Sequence, residues 1–149
     1  MLLCGSAPEK GERMVRSVVR DMLFLGQRSV NATKADLSVG QDLLDTLRAN
    51  RESCVGMAAN MIGIRKRIIV VSIGQTEVVM FNPVILSKQT PYPAEEGCLS
   101  LDGTRRTIRF REIEIEYRDS RWIQQKKRFS GWTAQIIQHE IDHCNGVVI

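Results

Sequence analysis

Two histidines and a glutamate form the most chemically informative pattern in this chain. His139 and His143, its only histidines, lie four residues apart, and Glu140 directly follows the first. An α-helix advances about 100° per residue, so the two imidazoles would lie one turn apart on the same face. Such a pair can bind one metal ion, and the carboxylate can reach a water on that ion. The spacing predicts a metal-dependent hydrolase.

A catalytic site of this kind needs a third protein ligand and one open position for water. A carboxylate or a cysteine could supply that ligand, and Cys98, in a glycine-containing loop ahead of the helix, is the preferred candidate. Cys144 is one step round the helix from His143, so its thiol diverges from a shared ion. Cys54 lies in a separate loop of small residues.

Several earlier segments would have to position the helix and Cys98. Leucines at helical spacing predict a helix within residues 32–50, with Thr33 or Ser38 as its cap. Pro91 and Pro93 predict the start of a loop that carries residues 95–100. Apolar or alternating runs predict strands at residues 67–72, 78–81 and 112–117, with a partner strand ending at Phe129.

The last helix is predicted from about residue 133 to residue 145, with Gly146 as its stop. A helical wheel puts both histidines on a broad apolar arc, which makes the metal site internal. The fold class predicted is α+β, with mostly antiparallel sheet packed around a central metal-binding helix. The apolar arc also contains Trp132, Ile136, Ile137, Glu140, Ile141 and Cys144, and the opposite arc contains Gln135, Gln138, Asp142 and Asn145.

Composition indicates one ordinary globular domain. The chain has 149 residues, of which 43% are hydrophobic and 26% charged. We expect a single domain at residues 14–149 and an extension or disordered N-terminus at residues 1–13. The sequence contains no apolar run long enough to cross a membrane and no signal-peptide core, so a cytoplasmic, reduced protein is expected.

The net charge is +4, and basic residues concentrate at residues 118–128. Charge runs without interleaved aromatic residues rarely mark specific nucleic-acid recognition, so this stretch is interpreted as a solvated hairpin and no specific DNA binding is expected. The alternative is weak attraction to polyanions such as ribosomal RNA, and with it transient ribosome association.

Three motifs in order give the chain a family resemblance. Residues 96–100 match EGCLS, and residues 138–143 match QHExDH. The motif GxGxAAxQ, which comes first along the chain, is present in altered form at residues 54–61, which read CVGMAANM. From about Val15 to its end the chain resembles the peptide deformylases, which remove the N-formyl group from nascent polypeptides.

The resemblance implies a ligand set and a mechanism. Cys98, His139 and His143 would bind one divalent ion, Fe(II) in the cell and Zn or Ni in preparations, with water as fourth ligand. Glu140 would act as the general base. The backbone N–H of Leu99 would donate to the oxyanion, aided by the flexible backbone around Gly97.

The resemblance also implies substrate contacts with N-formylmethionyl nascent peptides. Val55 and Gly56 would pair with the substrate main chain as an added strand. Ile136 would help to form the pocket for the methionine side chain. Arg105 falls where family members often carry an arginine near the substrate.

Met61 departs from the family pattern, because the glutamine expected there donates to the developing oxyanion and a thioether has no donor. One such donor is commonly worth about 10²–10³ in turnover. The alternative to an enzyme, active but slowed, is therefore a paralogue that binds metal and peptide termini with little catalysis. Cys54 in place of a glycine and Asp102 in place of a proline are further departures. A protease with the same helix motif is disfavoured by the cysteine ligand.

Overall fold

The computed structural model describes residues 14–148, so the prediction for residues 1–13 lies outside the described residues. Within them, five strands form one antiparallel sheet in the order β1-β2-β3-β4-β5. The predicted α+β class is confirmed. No helix in residues 14–148 is long and apolar enough to span a membrane. The elements are α1 (Met22–Leu25), α2 (Leu37–Ala49), β1 (Gly56–Ala58), β2 (Ile68–Ile73), β3 (Thr76–Cys98), β4 (Leu101–Arg118), β5 (Gln124–Ser130) and α3 (Gly131–Cys144), with short 3-10 turns at Lys34–Asp36 and Ala59–Ile62.

The core lies between the sheet and α3, which contacts β1, β2, β4 and β5. The alternation predicted for residues 112–117 is confirmed, because Ile113, Ile115 and Tyr117 are buried while their neighbours are at least partly exposed. Burial of one strand face is what a period of two encodes. Because α3 packs against four of the five strands, the last helix is central, as predicted.

The predicted helix in residues 32–50 is present as α2, preceded by a 3-10 turn. Thr33 stands at the start of that turn, and its backbone N–H donates to the Asp36 carboxylate at 2.8 Å. Ser38 lies inside the helix and caps nothing. The apolar face of α2 buries Leu43 and Leu47.

The predicted loop at residues 91–100 is wrong. β3 runs on to Cys98, and only Leu99 and Ser100 turn the chain into β4. Strand β2 pairs with β3 over residues 76–81 only, so within the described residues the rest of β3 is bonded to β4 alone. This part of β3 therefore has one edge without a strand partner among the described residues. The missing N–H groups of Pro91 and Pro93 on that edge break no hydrogen bond between strands. We call this two-stranded extension, residues 84–116, the ribbon.

The helical wheel misplaces two residues of α3. Trp132, assigned to the apolar arc, is 63% exposed, and Gln138, assigned to the wet arc, is 5% exposed. The physical reason is that β4 covers a second side of the helix. The Gln138 amide accepts from the Phe110 N–H at 2.8 Å and donates to the Phe110 carbonyl at 2.7 Å. A buried amide satisfied in this way behaves as part of the core.

Candidate metal centre and active site

The structure brings the three predicted ligands together. Cys98 comes from the end of β3, and His139 and His143 come from successive turns of α3. Their ligand atoms all lie within 4.8 Å of one another, and Cys98 Sγ is 3.2 Å from His143 Nε2. The helix supplies the histidine pair by its period, and the tip of the ribbon supplies the thiol.

Glu96 fixes the orientation of His139. Nδ1 of His139 lies 2.8 Å from Glu96 Oε1. Burial alone would raise the pKa of Glu96, but hydrogen bonds from His139 and Arg109 outweigh it and lower that pKa to about 2. An ionised carboxylate only accepts, so Nδ1 carries the proton and Nε2 faces Cys98. Such a carboxylate behind a histidine is the usual support of a metal ligand.

Arg109, which no sequence motif predicts as part of the site, neutralises this buried carboxylate. Its guanidinium contacts Glu96 Oε1 at 2.8 Å and Asp142 Oδ2 at 2.6 Å. A buried arginine with two carboxylate partners holds β3, β4 and α3 together, and removing it would leave the buried Glu96 carboxylate without its cationic partner. Its one signal in the sequence is its position between the apolar residues Ile108 and Phe110.

The two histidines titrate in opposite directions. Burial, reinforced by His139, lowers the pKa of His143 to about 3, so its imidazole is neutral, as a metal ligand must be. Burial also lowers the pKa of His139, but its hydrogen bonds with Cys98 and Glu96 outweigh that and raise the pKa to about 10. A divalent ion that binds at Nε2 of His139 therefore displaces a proton.

Glu140 is placed to move a proton. It is 4% exposed, and its Oε1 has no hydrogen-bond partner among the described residues. Burial raises the pKa of its carboxyl to about 7, against the opposing charge of His139. A carboxyl with a pKa near neutrality can both accept and return a proton.

A cavity of about 570 Å³ opens in front of Glu140, His139 and Cys98. Arg105 is not among its lining residues, and its Nη1 instead donates to the Asp102 carbonyl at 3.4 Å. The predicted contacts that do line the cavity are Val55, Gly56, Met61, Gly97, Leu99 and Ile136. Glu95, Trp132 and Gln135 also line it, and no sequence motif predicts them there.

The altered first motif fits the fold without backbone strain. Cys54 is not among the described non-glycine residues with positive φ, and its thiol contacts the Gly56 carbonyl at 2.8 Å. Burial raises the pKa of Cys54 to about 12, so it stays a neutral thiol. Met61 is 1% exposed, and its sulfur accepts from the Ala58 N–H at 3.4 Å. It offers the cavity no donor.

The donor set fits one divalent metal ion. A thiolate and two imidazoles at mutual ligand distance, with Glu96 orienting one ring, match the requirements of a three-ligand catalytic site. The same set suits several first-row metals, so it indicates one ion of this class rather than a particular element.

Comparison with known proteins identifies the family. The family model for polypeptide deformylase matches residues 13–149. The chain is 56% identical over 136 residues to a peptide deformylase of Clostridium beijerinckii, covering 91% of this chain and 100% of that relative. The crystal structure of peptide deformylase from Thermotoga maritima superposes with a TM-score of 0.81 at 30% identity, covering 92% of this chain and 95% of that one. A Met-Ala-Ser bound peptide deformylase from Acinetobacter baumannii gives 0.78 at 28% identity, covering 91% and 97%. The chain therefore belongs to the polypeptide deformylase family.

Proposed function

We propose that the protein removes the N-formyl group from the N-terminal methionine of newly made polypeptides by metal-dependent hydrolysis. The observation that carries the proposal is the convergence of Cys98, His139 and His143 beside the buried carboxyl of Glu140. Close relatives that are peptide deformylases support the same reaction. The Acinetobacter protein binds Met-Ala-Ser, which is the kind of deformylated product this reaction would leave.

When bound at Cys98, His139 and His143, a divalent ion supplies Lewis acidity to the attacking water and the formyl carbonyl. Glu140 accepts a proton from the water at a carboxylate oxygen and returns it to the amine nitrogen that leaves as formate is released. A pKa raised to about 7 by burial suits both transfers. The Leu99 N–H, at the turn after Cys98, donates to the oxyanion.

The peptide main chain is held at the edge of the sheet. β1 is the terminal strand of the described sheet, so an extended substrate can add alongside Val55 and Gly56. Gly56 has no side chain, which leaves room for Glu140 and Ile136 to pack directly against this strand. Ile136 and Met61 give the apolar wall that a methionine side chain requires.

We propose Fe(II) as the ion in the cell, with Zn or Ni in preparations, because a mixed thiolate and imidazole set accepts all three. We also propose that the protein acts in the cytoplasm, where nascent peptides are made. The exposed basic side chains of Arg121, Lys126, Lys127 and Arg128 on and after the β4–β5 turn support transient contact with ribosomal RNA rather than specific DNA binding.

The test is formate release from formyl-Met-Ala by protein loaded anaerobically with Fe(II), Ni or Co, with metal content measured on the same preparation. We expect turnover with about one ion per chain. Glu140→Ala should retain the ion and lose the turnover, because the base touches the water but is not a ligand.

A second candidate, a paralogue that binds metal and peptide termini with little catalysis, is favoured by Met61. It predicts a stoichiometric ion and measurable binding of Met-Ala-Ser without formate release. That combination in the native chain would replace the enzymatic proposal.

A further inference from the structure

We propose that Tyr92 and Gln135 are positioning residues for this reaction, which hold Glu96 and through it the metal ligand His139. The Tyr92 hydroxyl donates to Gln135 Oε1 at 3.0 Å, and Gln135 Nε2 donates to Glu96 Oε2 at 2.9 Å. Glu96 Oε1 in turn lies 2.8 Å from His139 Nδ1. The inference rests on the proposed function, because it assumes that His139 binds an ion.

Only one arrangement of donors satisfies this chain of bonds. The Glu96 carboxylate, paired with the Arg109 guanidinium at 2.8 Å, accepts hydrogen bonds, so the Gln135 amide presents its NH₂ group to it. The Gln135 oxygen then faces Tyr92, whose hydroxyl must donate. The direction of every bond is thus set by the carboxylate, and a side chain with fixed bonds at both ends is held in one rotamer.

Tyr92 is itself held at the middle of the ribbon. Its ring lies under the Arg111 guanidinium, whose Cζ is 4.8 Å from the ring centroid. This contact anchors the outer end of the chain of bonds to β4, on the opposite strand of the ribbon. Three bonds therefore link the partly exposed ribbon surface to a metal ligand.

The two positioning residues differ in one useful way. Gln135 lines the cavity, whereas Tyr92 does not. Loss of the Tyr92 hydroxyl should therefore disturb the orientation of His139 without changing any surface that a substrate touches. Loss of the Gln135 amide should change both.

The experiment uses the Co(II)-substituted protein and follows loss of the thiolate-to-cobalt absorption after addition of a chelator. Tyr92→Phe should accelerate metal loss about fivefold, the effect of one hydrogen bond. Its kcat should fall with KM unchanged. The matched control is Tyr117→Phe. Tyr117 is the other tyrosine of the chain and lies on the core face of β4, so loss of its hydroxyl should change neither the rate of metal loss nor kcat.

Gln135→Leu keeps the size of the side chain and removes both bonds. We expect about tenfold faster cobalt loss, as for other partners behind a metal ligand, together with a changed KM. Cobalt loss from Tyr92→Phe at the rate of Tyr117→Phe would overturn the inference. Failure of the native chain to bind cobalt at all would instead sink the proposed function, so the two failures are distinguishable.

Discussion

At Met61 a buried thioether occupies a cavity position from which a hydrogen-bond donor could act on the substrate. The sulfur accepts from the Ala58 N–H at 3.4 Å, so this hydrogen bond to the start of the 3-10 turn sets the orientation of the side chain. In our proposal, the protein group that donates to an oxyanion in this cavity is the Leu99 N–H. We therefore expect Met61 to lower the rate of turnover and to leave substrate binding intact.

Met61→Gln should raise turnover. The amide oxygen can accept from the same Ala58 N–H, which would direct the NH₂ group into the cavity. A single preorganised donor is worth about 10²–10³ in other oxyanion sites, so a gain of at least about tenfold in kcat is expected. Formate release measures it, and Met61→Leu, which restores no donor, should give no gain. Equal rates for the two variants would show that the missing donor is not limiting.

Gly56→Ala should abolish most of the activity without unfolding the protein. A Cβ at this position would lie 2.7 Å from Ile136 Cγ2 and 2.9 Å from Glu140 Oε2, so it would push the base aside. Displacement of a catalytic group by about 1 Å can cost about 10² in rate. We expect that loss in kcat with unchanged metal content, as measured by formate release and metal analysis. Full activity would mean that the carboxyl has room to move.

Among the elements, α3 supplies His139, Glu140 and His143 to the site, and β4 holds this helix in place. Gln138 bonds both the N–H and the carbonyl of Phe110, and Asp142 bonds Arg109 one turn later. Both contacts come from the side of the helix that faces the ribbon. The ribbon is therefore a second support for α3, besides the core face of the sheet.

Gln138→Leu should destabilise the fold by about 2–4 kcal/mol, because the partly buried N–H and carbonyl of Phe110 both lose their partner and each costs about 1–2 kcal/mol. Denaturant unfolding of the metal-free protein measures this free energy. Gln89→Leu, at an exposed position on β3, is the control and should change stability by no more than about 0.5 kcal/mol. A similar small change for both variants would mean that water replaces the amide.

The sequence was sufficient wherever one period or one motif determines the outcome. The spacing of His139 and His143 is local to a helix, and the alternation around Ile113 needs only one buried face. Gln138 and Trp132 were misplaced because a helical wheel assumes one packing partner, whereas α3 has two. Pro91 predicts a loop because proline is rare in a strand paired on both edges. Here this part of β3 is paired on one edge only among the described residues, and that depends on the arrangement of the whole sheet, which a short stretch of sequence does not reveal.

On the scale of the whole molecule, the candidate metal site joins two parts of the chain that are distant in sequence. Cys98 and His143 are 45 residues apart, one at the tip of the ribbon and one on α3. An ion that binds only the folded protein stabilises it by mass action, by about 4 kcal/mol at a thousandfold excess over its Kd.

Removal of the ion should therefore lower the unfolding free energy and loosen the ribbon tip before the core. We expect faster amide hydrogen exchange at residues 97–101 in chelator-treated protein, with β2 remaining protected. Cys98→Ser should show the same fast exchange even with metal added. Uniform exchange across the sheet in both states would contradict a local role for the ion.

The separation of the ligands also sets the order in which a newly made chain can acquire its ion. Cys98 leaves the ribosome well before either histidine, since both belong to the later helix α3. During that interval its thiol lacks both imidazole neighbours. In our proposal, the set of metal ligands is complete only after α3 has been made, and a product that stops before α3 lacks both histidines.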